Sequence, residues 1–386
     1  MPFISLTTLK RTRRLLFTLL INTLLLSFAA PTILYPQAAS AQTALGGRAV
    51  VGGSAQYSFP VTSIPLYVSG SAIAPDGTMY IGVLGSVYKS TDGGNTWTYL
   101  STLVNGKGFA MLHAALNGYL YASQTTTTGG GGIWRSMDGG LTWTMVLTLT
   151  GYTNAYIWGF AEDSNGVLYA GLYQGDDSDH GAIIYRSTDN GTTWPVVYTD
   201  PTGRHIHALA VDSSNDVYAS IGDDIAPWNT WKILKSTDGG TTWNQILSGI
   251  PQQVGIAAGP TARVFAGDSN TAWGIWRTTD DSTYSEVLTF PAGFMPSGFW
   301  ARYDSQTGYY YVGFVASGSN QAATCIYRSI NTGITWHPIL CLNPYIAYNG
   351  FSYAANIVNS KLIVSEDSNN VGFNGVLLDL TKVPVY

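Results

Sequence analysis

The 386-residue chain carries little charge. Only 11 % of its residues are Asp, Glu, Lys or Arg, and it holds just five His and two Cys. Glutamate is scarcer still, confined to Glu162, Glu286 and Glu366. With so few basic groups there is no patch of the kind nucleic acid requires. No stretch shows the periodicity of an amphipathic helix, which argues against a helical fold. Beyond residue 30 no apolar run approaches the ~20 residues that a membrane-spanning helix needs. Neither Cys325 nor Cys341 has the surroundings of a nucleophile. What the chain has in quantity is Gly (44), Tyr (25) and Trp (12), with abundant Ser and Thr, as in antiparallel sheet joined by tight turns.

The N-terminus reads as an export signal. Lys10, Arg11, Arg13 and Arg14 precede the apolar residues 15–30, and Ala39-Ser40-Ala41 offers a small-x-small cleavage site. Residues 1–41 are therefore expected to be a signal peptide and residues 42–386 one exported domain, in the medium, the periplasm or on the cell surface. Arg13-Arg14 also suits a twin-arginine signal, and an uncleaved anchor is the alternative. Removing the signal leaves 14 basic against 23 acidic side chains. That balance speaks against nucleic acid or an anionic membrane as partner.

One phrase recurs six times. It is complete in Ser90-Thr91-Asp92-Gly93-Gly94-Asn95-Thr96-Trp97 and again around Asp138 and Trp143, Asp189 and Trp194, and Asp238 and Trp243. It is worn around Asp280, where Tyr284 replaces Trp, and around Asn331 and Trp336. The Asp/Asn positions step by 46, 51, 49, 42 and 51 residues, the length of a propeller blade. The carboxylate accepts turn N–H groups, Gly supplies positive φ, and the Trp has a face to bury, so the residues of this phrase are expected to be structural.

These motifs resemble the Asp-box, or bacterial neuraminidase repeat, propellers. That family includes sialidases, xyloglucan-active glycosidases, sortilin-type receptors and photosystem II assembly factors. The resemblance implies an all-β fold of four-stranded antiparallel blades but not a function, since catalytic and non-catalytic members share the motif. Strand pairs like those of residues 205–221 recur seven times, which predicts seven blades, the last closed by a strand from residues 51–61. Six blades with flanking strands is the alternative. Cys325 and Cys341, eight residues either side of Gly333, are expected to face each other as a disulfide, with free thiols as the alternative.

Loops that follow the second and fourth strands converge on one face, called the top below, and carry acids beside aromatics. The residues expected to bind a ligand are Tyr156, Trp158, Arg204, Trp228, Trp273 and Trp300, a composition suited to sugar. If the chain is a glycoside hydrolase, Asp177 and Asp224 are the best carboxylate pair. A sialidase is disfavoured: the Arg-Ile-Pro phrase is absent, Ser63-Ile64-Pro65 being nearest, and only Arg204 and Arg302 remain for an arginine cluster. His205 and His207 share one side of a strand, but no third ligand is placed with them, so no metal and no cofactor are expected. The reading is of a glycan-recognising propeller, with a glycosidase or a protein-binding scaffold as alternatives.

Overall fold

The computed structural model of the chain describes residues 61–385 apart from 65, 67, 105–106, 126–130, 153, 175–180, 224–229, 248, 269–273, 291–295, 317–324, 342–349 and 368–374. Short β-rich segments separated by Gly-containing turns pair with their sequence neighbours, giving four-stranded antiparallel meanders. Blade four is typical. Its inner strand Ile206–Val211 pairs with Val217–Ile221, then Lys232–Ser236, then Asn244–Leu247 at the rim. Five such sheets stand alone, and blades six and seven are joined into one sheet by the pairing of Val315 with Gly350. The result is a seven-bladed β-propeller. Among the described residues the only helix is the 3₁₀ turn Leu380–Lys382, and none is long and apolar enough to cross a membrane.

Ring closure comes from the N-terminal side, at a later position than residues 51–61. Val61–Ile64 adds to Gly375–Asp379, with Val61 opposite Leu378 and Ile64 opposite Gly375. Val61 and Ile64 are buried while Thr62 and Ser63 face water, which fixes where this strand sits. Residues 51–60 lie outside the described ones. Closure covers the outer edge of the third strand of blade seven, which would otherwise be open to another chain.

The repeated turn works as its chemistry requires. In blade four Ser236 Oγ donates to Asp238 Oδ1 (2.8 Å) and accepts from Gly240 N (2.8 Å). Thr242 donates its N–H to Oδ1 (2.8 Å) and its hydroxyl to Oδ2 (2.7 Å) of Asp238. The same bonds recur around Asp92, Asp138 and Asp189. Trp143, Trp194, Trp243 and Trp336 each donate Nε1 to the carbonyl of the turn Gly three residues earlier. The basic residue before a turn reaches the next blade: Arg135 Nη1 to Asn190 O (2.7 Å), Lys235 Nζ to Asp281 (2.8 Å), Arg277 Nε to Thr332 O (2.7 Å). These cations are thus used in holding blade to blade.

Two further regularities set the geometry of the channel. Opposite one inner-strand position in each blade, the second strand carries only a small residue: Gly82, Ser123, Gly171, Ser220, Ala266, Gly313 and Ser365. There the neighbouring blade comes close. Ile157 N donates to Ser123 Oγ (2.9 Å), and Ser220 Oγ donates to Gln253 O. In six inner strands the register also slips by one residue near the top, after Phe109, Ile157, Ile206, Gln253, Gly298 and Phe351. A bulge re-aims the extra side chain. Ala110, Trp158, His207, Val254 and Phe299 all line one axial cavity of about 100 Å³.

Cys325 and Cys341 form a disulfide at directly paired positions, Cα atoms 4.0 Å apart. The pairing follows from the hairpin that Gly333 turns.

Candidate functional site

The top of blades three to five gathers aromatic and polar side chains. Blade three contributes Tyr156 and Trp158 from its inner strand Ala155–Glu162, and Tyr173 from the returning strand Leu168–Gln174. All three are half-buried. Tyr156 stacks on Tyr173 with centroids 5.0 Å apart and planes 20° off parallel, and Trp158 meets Tyr173 at 4.6 Å. Trp158 also reaches across the axis to Phe299 of blade six, 6.4 Å between centroids.

Tyr173 lies on His205 of blade four, with ring centroids 3.9 Å apart. His205 precedes the inner strand, and His207 is that strand's bulged residue. Antiparallel pairing brings the end of the hairpin back to them, so Gly222 N donates to His205 O (3.0 Å) and Asp223 stands beside both rings. His205 Nε2 is 3.2 Å from His207 Nε2, and Asp223 Oδ1 is 3.0 Å from His207 Nε2 and 3.4 Å from His205 Nε2. Arg204 Nη1 pairs with the other oxygen of Asp223. Gln252, at the entry of blade five, donates from Nε2 to Asp223 Oδ1 (3.1 Å).

Burial, with His207 alongside, holds the His205 pKa down to about 4, so its ring is neutral at pH 7. Burial opposes the charge of Asp223, but the imidazole hydrogen bonds outweigh it and keep its carboxyl well below the usual range. The site is therefore a carboxylate facing two imidazoles, that of His205 neutral, with a guanidinium behind it.

Of the residues expected to bind a ligand, Tyr156 and Trp158 share one aromatic face. Arg204 is engaged by Asp223. Trp300 is only 3 % exposed and packs over Gly313 in the core of blades six and seven, while Phe299, one position earlier, is half-buried at the axial cavity and meets Trp158. Arg302 donates to the carbonyls of Ala354 (2.7 Å) and Ala355 (3.1 Å), joining blade six to blade seven. Asp177, Asp224, Trp228 and Trp273 lie outside the described residues.

The expectation that no third ligand accompanies His205 and His207 is corrected: Asp223 is there. His205 is fully buried, with Nδ1 against Gln174 O (3.1 Å). The missed signal lay in hairpin arithmetic. Pairing about the turn 212–216 already sets residue 205 opposite 223, and the bulge after Ile206 moves it by one, to 222. His113 is occupied elsewhere, 2.9 Å from Glu162.

No family model and no curated protein matches the chain. Among solved structures it is similar to the GH74 xyloglucanase from Xanthomonas campestris, with a TM-score of 0.55 and 16 % identity over 81 % of this chain and 54 % of that one. It is similar to the virginiamycin B lyase from Staphylococcus aureus at a TM-score of 0.55 and 13 % identity, covering 83 % of this chain and 99 % of the lyase. It is similar to YCF48 bound to D1 peptide at 0.56 and 14 %, covering 88 % and 99 %. The chain thus spans about half the length of the xyloglucanase. The likeness is one of fold, and these propellers include a glycoside hydrolase as well as a peptide-bound protein.

Proposed function

We propose that the chain is an exported Asp-box propeller that recognises a glycan at the top face, beside the mouth of its channel. The observation that carries the reading is the half-buried face of Tyr156, Tyr173 and Trp158, set next to Asp223, Gln252 and Arg204. A pyranose presents one apolar C–H face to a ring and its hydroxyls to short polar groups, and this arrangement supplies both. The export-signal pattern of residues 1–41 supports an extracellular ligand. The repeated turn, with its Ser, Asp, Gly, Thr and Trp bonded alike in successive blades, supports membership of the Asp-box propellers.

The reading is one of recognition without turnover. A screen of residues 42–386 against a glycan array and insoluble polysaccharides, with product analysis, tests it. Retention without products is expected. Released oligosaccharides would make the chain a glycosidase or lyase and direct attention to Asp177 and Asp224; no retention would send the search to protein partners.

A further inference from the structure

The three groups at the top of blade four are placed as a ligand set. A four-coordinate ion bound at about 2.0–2.1 Å holds its donor atoms about 3.3 Å apart. The three separations here are 3.0, 3.2 and 3.4 Å. The donors are also aimed. His205 Nδ1–H donates to Gln174 O, which leaves the lone pair on Nε2 pointing at His207 and Asp223. Arg204 occupies Asp223 Oδ2 and turns Oδ1 inward. Tyr173 fixes the plane of His205.

Hydrogen bonding alone does not account for the cluster. The Gln174 carbonyl takes the Nδ1 proton of His205, and Gln252 Nε2 donates to Asp223 Oδ1 (3.1 Å), yet a single N–H on His207 Nε2 still faces three acceptors: Gly222 O at 2.8 Å, Asp223 Oδ1 at 3.0 Å and His205 Nε2 at 3.2 Å. Lone pairs in excess of protons, in a nest where His205, His207 and Asp223 are at most 7 % exposed, are what a cation relieves.

We propose that His205 Nε2, His207 Nε2 and Asp223 Oδ1 bind one divalent transition-metal ion of the zinc class. Two imidazole nitrogens with one carboxylate oxygen suit such an ion and not magnesium or calcium, which take oxygen ligands. The Gln252 amide stands 3.3 Å from His207 Nε2, and turned end for end it presents its oxygen as fourth ligand. Because Asp223 and Gln252 also flank the aromatic face of the glycan reading, metal binding is tested without sugar, so that the two readings fail separately.

The full-length chain, tag-free and stripped with chelator, is titrated with ZnCl₂ against a chromophoric competitor, and bound metal is counted by elemental analysis. One ion per chain is expected, and Co²⁺ in its place gives the strong visible absorption of a four-coordinate site. Asp223→Asn and His207→Gln each weaken binding at least tenfold, whereas His337→Gln, in the outer strand of blade six, leaves it unchanged. Circular dichroism checks that each protein is folded. Should either ligand variant fail to fold, Arg204→Gln is used instead and weakens binding severalfold by freeing the carboxylate to turn. Failure of the folded wild type to take up Zn²⁺ at micromolar concentration overturns the proposal, and so does uptake that survives these substitutions.

Discussion

Gly171 of blade three touches Ile206 of blade four so closely that a β-carbon on the glycine would lie 2.5 Å from Ile206 Cγ2. Ile206 is fully buried, so it has nowhere to retreat. Ile206 also sits between His205 and His207, which ties blade packing to the candidate site. Gly171→Ala is therefore expected to destabilise the domain by about 1–3 kcal/mol through overpacking. Denaturant unfolding measures it; an unchanged midpoint would mean that the blades separate more easily than this contact implies.

Ser236 is fully buried and accepts the N–H of Gly240 in the turn of blade four. Ser236→Ala removes that acceptor with little change of volume and leaves a buried donor unpaired. The expected loss is about 1–3 kcal/mol. Thermal unfolding reads it, and Ser236→Thr, which keeps the hydroxyl, should lose less.

Acid should unfold the propeller through its turns. Asp92, Asp138, Asp189 and Asp238 are each held down to about 2 by bonds from the hydroxyl and N–H of the Thr four residues on, against an unfolded value of 3.8. A pKa depressed by folding lends stability that is whole above the unfolded value and is lost as pH falls through the folded one. The thermal midpoint should therefore fall from about pH 4 towards pH 2 on this account. Replacing the four by Asn should flatten that fall, because Asn331 already makes the equivalent turn: it accepts from Thr335 N (2.9 Å) and donates Nδ2 to Thr335 Oγ1 (2.9 Å). An unflattened acid limb would place the titrating groups elsewhere.

Much of the fold was legible because its determinants are local. Asp, Gly, Thr and Trp at fixed spacing make one hairpin whatever surrounds them, and Cys325 and Cys341 are set opposite by that hairpin alone. The site was less legible because it depends on register. A bulge after Ile206 shifts His207 towards the axis, and no single-residue preference marks it. The same slip after Gly298 sets Phe299 half-buried beside the channel and buries Trp300, which was expected to meet the ligand. Asp223 is one of two adjacent acids in the sequence, and what marks it is its return beside His205 through the hairpin, which residue type alone does not show. The closing strand was displaced because Val51 and Val61 both begin plausible β segments; the burial of Val61 and Ile64 is decided by the partner strand.

The most direct test of the central claim is binding of a retained glycan by the wild type and by Tyr156→Ala, measured by calorimetry at one pH and salt concentration. Recognition on the aromatic face predicts saturable binding by the wild type and at least tenfold weaker binding by the variant, equivalent to about 1.4 kcal/mol, with unfolding temperatures that stay within a few degrees. Equal affinities in the two folded proteins, or no glycan bound by the wild type, would contradict the account.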